Sequence, residues 1–334
     1  MSKFHSLTFK PFPLFEDGHL QTVAAALLPF PRHLPSTKRF VYLSDGDCIT
    51  YEVSTPEKWK SIDPTVVMIH GLCGSHRSPY VVRFAKKLSK HGIRTIRINL
   101  RGCGSGRRRS KKMYHVDSSD DVWRGLKKIK NEMPDSSLIL VGFSLGGNVA
   151  LKMAGEWANE ARHLIDKLIA INPPIDLIAS AHRLSKSKIY EKYFMFYLRY
   201  DMIDIHNHFA DLPPIAISPK MSLFEFDEFY IAPQSGYLTA REYYYASSAG
   251  RVIPEIKVNS HILFARDDPI VDYSAMKHIK IPNNVQIFIT DKGGHLGYLG
   301  MPGKSKHFHW IDGMLLNWIF PSMVLIICLG LSWK

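Results

Sequence analysis

The sequence predicts an α/β fold: a mostly parallel central sheet flanked by helices, interrupted once by a helical insertion. Three observations lead there. Short continuous apolar runs, at residues 65–70, 93–99, 137–142 and 167–172, alternate with longer stretches whose apolar residues recur at helical spacing. The alternation stops after Pro173-Pro174 and resumes with residues 261–265 and 285–290. A glycine-bounded serine, Gly142-Phe143-Ser144-Leu145-Gly146, stands where one apolar run meets a helical stretch.

Taken in order, residues 1–35 are rich in Pro, Phe and Leu and read as an arm wrapped over the core. Residues 39–43 and 48–53 alternate as strands around Asp45-Gly46, which predicts a hairpin. The run 65–70 is a buried parallel strand. Residues 79–90 follow as a helix, with Val81, Val82, Phe84, Ala85 and Leu88 on one face and Gly92 as its stop. Residues 93–99 form the next strand. Residues 117–133 form a helix with acidic residues in its first turn and lysines later, as the helix dipole favours. The strand 137–142, the helix 145–158 and the strand 167–172 continue the rhythm. Residues 176–250 are aromatic-rich without βαβ spacing and read as a helical cap insertion above the C-terminal strand ends. The domain is expected to span 1–320, ending in a last helix through Phe320. Residues 321–334 form an apolar tail separated from that helix by Pro321.

Composition narrows the class. Of 334 residues, 46% are hydrophobic and 22% charged, which excludes a disordered chain. Lys and Arg number 43 against 30 Asp and Glu, a formal charge of +13 that favours contact with anionic surfaces. The densest basic run, residues 107–112, reads as a solvated loop. No stacking platform or nucleic-acid fold accompanies it, so no nucleic-acid partner is expected. Four cysteines without C-x-x-C pairing imply free thiols in a reducing compartment. The N-terminal residues show no signal-peptide pattern, and the expected location is cytoplasmic. The uncharged run 314–333 is interrupted by Asn317, Pro321 and Ser322, so the tail is expected to pack on the body or extend from it, with peripheral membrane contact as the alternative. No metal cluster, phosphate loop or dinucleotide fingerprint occurs, so neither metal nor cofactor is expected.

The chemistry gathers around Ser144. G-x-S-x-G between a strand and a helix is the nucleophile elbow of the α/β-hydrolase fold. Its tight turn needs small neighbours, and the following helix turns N–H groups toward developing negative charge. In that fold the acid and then the histidine follow the serine along the chain. Asp267-Asp268 ends the run 261–265. Asp268, opening the turn at Pro269, is the expected acid, with Asp267 facing solvent or paired with Arg266. His295, in Gly293-Gly294-His295-Leu296-Gly297 after the last strand, is the expected general base. His307 and His309 fall in a predicted helix, where reaching the elbow is harder. The oxyanion donors are expected to be the amides of Leu145 and of Leu72, the latter in His70-Gly71-Leu72-Cys73. Cys73 lacks an elbow of its own and reads as a small packed or exposed thiol.

These segments together resemble the YheT-like branch of the α/β-hydrolase superfamily, related to eukaryotic ABHD-type lipid hydrolases. The resemblance runs from Gly18-His19-Leu20-Gln21-Thr22 to about Trp318. It passes through residues 70–75, Ser78-Pro79-Tyr80, Arg101-Gly102-Cys103, Tyr114-His115 and residues 142–148. It continues in Phe226-Asp227-Glu228, Gly236-Tyr237, Tyr243-Tyr244, residues 267–269 and residues 293–297. The resemblance implies an esterase whose charge-relay residues fall on Ser144, Asp268 and His295. One departure is Asp117, where the family usually carries glycine.

The expected activity is hydrolysis of a small-molecule carboxylic ester, lipid-like in its acyl group, through an acyl-enzyme. Acyl transfer or thioester cleavage would use the same three residues, and a non-catalytic binding module would keep the pocket without the chemistry. Tyr193, Phe194, Phe196, Tyr197, Tyr243, Tyr244 and Tyr245 in the insertion suit an apolar acyl or aryl group, or else form the insertion's own core.

Overall fold

The computed structural model describes residues 3–28, 34–213, 218–301 and 308–320. The apolar tail 321–334, and with it Cys328, lies outside the described residues, as does His307.

The strands are β1 Phe4–Leu7, β2 Thr37–Tyr42, β3 Cys48–Ser54, β4 Thr65–Ile69, β5 Arg94–Asn99, β6 Leu138–Phe143, β7 Lys167–Ile171, β8 Asn259–Ala265 and β9 Val285–Thr290. They form one sheet in the order β1-β9-β8-β7-β6-β4-β5-β3-β2. The six central strands and β1 run parallel. β3 is antiparallel to β5, and β2 to β3. The hairpin at Asp45-Gly46 is therefore present, with Gly46 at φ 87°, the left-handed region that glycine enters freely.

The helices are α1 Gly18–Leu27, α2 Pro79–Lys90, α3 Ser119–Glu132, α4 Leu145–Glu156, α5 Ala158–Leu164, α6 Leu177–Lys186, α7 Lys188–His208, α8 Leu223–Phe226, α9 Ala232–Gln234, α10 Ala240–Ser247 and α11 Trp310–Ile319. A π-helical turn, Asp227–Ile231, lies between α8 and α9. Strand side chains alternate between two cores. Val67, Ile69 and Leu140 pack with α3, α4 and the helices of 177–247. Val66, Met68 and Val141 pack with α2 and α11.

Three expectations need correction. The N-terminal arm carries regular structure: β1 adds an edge strand beside β9, and α1 starts at an Asp17 cap that accepts from His19 and Leu20. A four-residue strand has too few positions to display a period. The helix expected over 145–158 divides at Trp157, and Ala158, at φ 33°, starts α5. Finally, His309 precedes α11 as its N-cap residue and bridges to Leu299.

Chain order reverses direction across the sheet between β4 and β6. β4 leads out to β5 on one side, and β6 returns on the other. The C-terminal ends of these two strands form a topological switch point, where open α/β sheets place their ligands. The loop 70–75 and Ser144 both leave the sheet there.

Candidate active site

Ser144 sits between β6 and α4 at φ 50° and ψ −122°, a backbone conformation disfavoured for a residue with a Cβ. The glycines around it make the turn possible. A Cβ on Gly142 would meet the Gly146 carbonyl oxygen at 2.4 Å. One on Gly146 would meet the oxygens of His70 and Ile69 at 2.4 and 2.5 Å. The Ser144 amide donates to the Ile171 carbonyl at 2.8 Å and ties the turn to β7.

His295 Nε2 lies 2.7 Å from Ser144 Oγ, and its Nδ1 lies 2.8 Å from Asp268 Oδ2. Asp268 is 2% exposed. Its Oδ1 accepts the amides of Ile270 and Val271 at 2.8 and 2.9 Å, and Oδ2 also accepts Asn172 Nδ2 at 2.8 Å. Asp268 thus caps its own turn and orients the imidazole at once. Asn172 is in turn held by the Tyr298 hydroxyl, which donates to its Oδ1 at 2.9 Å.

Asp267 departs from expectation. Its Oδ1 accepts the Gly294 amide at 2.9 Å, and burial raises its pKa. Arg266 pairs with Asp291 at 2.9 Å instead. Both carboxylates therefore serve the histidine loop, one through the backbone and one through the ring.

The loop is also braced from α1. The His295 amide donates to Thr22 Oγ1 at 2.9 Å. Gln21, fully buried, donates to the Phe15 and Leu299 carbonyls at 2.6 and 2.9 Å and accepts the Leu299 amide at 2.7 Å. A Cβ on Gly294 would meet the Gly18 carbonyl oxygen at 2.4 Å, so glycine is required by close approach as well as by its φ of 59°.

The loop after β4 presents three successive amides. Gly71 N–H donates to the Tyr80 hydroxyl at 2.9 Å, and Cys73 N–H donates to the Tyr114 hydroxyl at 2.6 Å. The amide between them, Leu72, has no acceptor among the described residues, and neither has that of Leu145. His70 anchors the loop. Its Nδ1–H donates to the Gly71 carbonyl at 2.8 Å and its Nε2 accepts the Leu100 amide at 3.3 Å, a pattern that requires neutral imidazole. Burial holds its pKa down at about 4.

Leu72, Ser144, Leu145 and His295 share one cavity of about 90 Å³. Its other walls come largely from the segment between β7 and β8, among them Leu177, Leu184, Phe194, Leu198 and Ile231. The aromatic residues of that segment divide. Phe194, Tyr243 and Tyr244 line the cavity, whereas Tyr193, Phe196, Tyr197 and Tyr245 are exposed. Cys73 lies outside this lining, and burial pushes its thiol up to about 12, away from the thiolate form.

The basic run 107–112 is matched by the chain's own acids. Arg107 and Arg108 pair with Asp204 of α7 at 2.9 and 2.8 Å, Lys111 pairs with Asp211 at 2.5 Å, and Lys112 with Asp45 at 3.5 Å. It is a strap onto α7 more than a free cationic loop. Asp117 accepts Lys152 at 2.6 Å and the Tyr237 hydroxyl. Among the described residues no helix is long and apolar enough to cross a membrane, and no group of three His, Cys, Asp or Glu is placed to hold a metal.

Comparison with known proteins agrees with this architecture. Residues 64–302 match the family model described as the alpha/beta hydrolase fold. "Putative esterase YheT" of Escherichia coli (strain K12) is 28% identical over 94% of this chain and 93% of its own. The "Medium-chain fatty acid ethyl ester synthase/esterase 2" of Saccharomyces cerevisiae is 28% identical over 83% of this chain and 65% of its own. Among solved structures, Est1E from Butyrivibrio proteoclasticus, bound to ferulic acid, superposes with a TM-score of 0.55 at 15% identity, over 86% of this chain and 99% of its own, a likeness of fold. The chain belongs to the α/β-hydrolase family.

Proposed function

We propose that this chain is a serine hydrolase that cleaves carboxylic esters of an apolar acyl group. The observation that carries the reading is the relay of Ser144, His295 and Asp268, at 2.7 and 2.8 Å, opening into a cavity lined mostly by aliphatic and aromatic side chains. The names of its relatives, an esterase and an ethyl ester synthase/esterase, point the same way.

In this mechanism Ser144 Oγ attacks the ester carbonyl carbon as its proton passes to His295 Nε2. Asp268 holds Nδ1 protonated and stabilises the imidazolium. The tetrahedral oxyanion lies against the Leu72 and Leu145 amides, whose hydrogen-bonding capacity no acceptor among the described residues uses. Each such donor is worth about 2.7–4 kcal/mol at the transition state. Collapse breaks the bond to the alkoxy oxygen, which leaves with the proton from His295. Water, deprotonated by the same nitrogen, then releases the acid and restores Ser144.

Steady-state turnover of p-nitrophenyl esters of graded chain length tests the reading. Wild type should hydrolyse them with a preferred length, and Ser144→Ala should lose all but about 10³–10⁴-fold over water. Equal rates for the two proteins would remove Ser144 from the chemistry. A second reading, acyl transfer to an alcohol, is suggested by the yeast relative's name. Ethyl ester formed on adding ethanol during turnover would favour it.

A further inference from the structure

The acyl cavity is lined mostly by apolar side chains, and part of its wall is polar. There the π-helical turn Asp227–Ile231 places Asp227 and Ile231 on the same space as Ser144 and His295. π-Turns are rare and are found often at functional sites. Asp227 Oδ2 accepts the Tyr244 hydroxyl at 2.5 Å, and its carboxyl has no other hydrogen bond among the described residues. Burial pushes this carboxyl up to about 7, so near neutrality it can donate a proton as well as accept one.

His115 lines the same cavity. Its ring lies edge-on to Tyr243 with centroids 6.3 Å apart, and Tyr243 lies 5.5 Å from Tyr244. His115 Nδ1 is buried with no hydrogen-bond partner. Burial keeps the imidazole neutral, with a pKa of about 4, so it offers one donor and one acceptor. Folded proteins leave few such groups unpaired. A purely structural carboxyl joining α10 to the π-turn would account for Tyr244, and leaves both the second oxygen of Asp227 and the ring of His115 without a role.

We propose that this wall recognises a hydroxyl on the acyl chain, so that the substrates are hydroxyacyl esters. The apolar stem of the chain lies against Leu184, Leu198 and Ile231, its hydroxyl bonds to the Asp227 carboxyl, and the His115 ring borders the same space. The proposal rests on the ester-hydrolase reading. It adds which acyl group the cavity selects, because a site built to pair a hydroxyl disfavours the analogue that leaves its polar groups bare.

The test compares ethyl octanoate with the positional isomers of ethyl hydroxyoctanoate that carry the hydroxyl at carbons 3 to 7. Turnover is measured with the full-length wild type, and binding by calorimetry with full-length Ser144→Ala. At least one isomer should exceed ethyl octanoate about ten- to a hundredfold in kcat/KM and in affinity. Asp227→Leu should bring that ratio to near one, and Asp227→Asn, which keeps a donor, an acceptor and the Tyr244 bond, should restore much of it. If ethyl octanoate is turned over and no isomer is preferred in either measurement, the proposal is overturned and the hydrolase reading stands. If no ester is turned over at all, both fall.

Discussion

The Gly294 amide donates to Asp267 Oδ1 at 2.9 Å, one residue before the histidine whose ring bonds to Asp268. Two adjacent carboxylates at the end of β8 therefore divide the positioning of one imidazole. Asp268→Asn should fold normally and lower kcat by about 10⁴, because the amide favours the wrong imidazole tautomer. Asp267→Asn still offers an oxygen to Gly294 and should cost far less. Steady-state kinetics on the two variants checks the ranking, and the reverse order would move the acid to Asp267.

Tyr80 fixes the loop that carries Leu72 by accepting the Gly71 amide at 2.9 Å. It lies outside the cavity lining. Tyr80→Phe removes one hydrogen bond from the proposed oxyanion loop. We expect kcat to fall by about tenfold, the worth of one such bond, with KM little changed. An increase in KM at constant kcat would place Tyr80 in substrate binding instead.

Stability should weaken with acid through His70. Its folded pKa is about 4 against a usual value of 6.5, because burial disfavours the charged ring. Between those values the unfolded chain binds more protons, so stability rises with pH across the window. The contribution of His70 is complete above about pH 6.5 and is lost as the pH falls toward 4. It amounts to at most about 3 kcal/mol. Urea titrations should show a flatter dependence between pH 4 and 6.5 for His70→Gln than for wild type.

Two glycine-to-alanine changes should act in opposite directions. At Gly146 the new Cβ meets backbone oxygens of β4 and the following loop at 2.4–2.5 Å, so the strand-to-helix packing must open. Gly146→Ala should cost upward of about 1–3 kcal/mol and most of the activity. Gly313, inside α11, has nothing within 4 Å of its Cβ position. Gly313→Ala should gain about 0.5–1 kcal/mol, since alanine is the better helix former. Chemical denaturation reads both.

The parts of the site legible in the sequence are those with local signatures. Gly142 and Gly146 announce the elbow because a tight turn excludes larger side chains, and glycines flank His295 for the same reason of close approach. The strands of the central sheet were legible as short apolar runs because both of their faces are buried. The supporting residues were not legible. Gln21 bonds to Leu299, 278 positions away, and Thr22 to His295 across 273. No periodicity encodes such pairs. Their one signal was that residues 18–22 belong to the resembling segments. Tyr80 and Tyr114 stood out only within the resembling segments, because a hydroxyl that accepts a backbone amide leaves no mark on spacing. Arg107 and Arg108 read as a free charge run, because Asp204 lies some hundred residues downstream on α7.

The account turns on Ser144 as nucleophile, and covalent labelling measures that most directly. Wild type treated with a fluorophosphonate probe, digested and mapped by mass spectrometry should carry a single adduct on the Ser144 side chain. Ser144→Ala should carry none, and Asp268→Asn should label far more slowly, as the activating imidazole is misoriented. An adduct at another residue, or equal labelling of wild type and Ser144→Ala, would contradict the account.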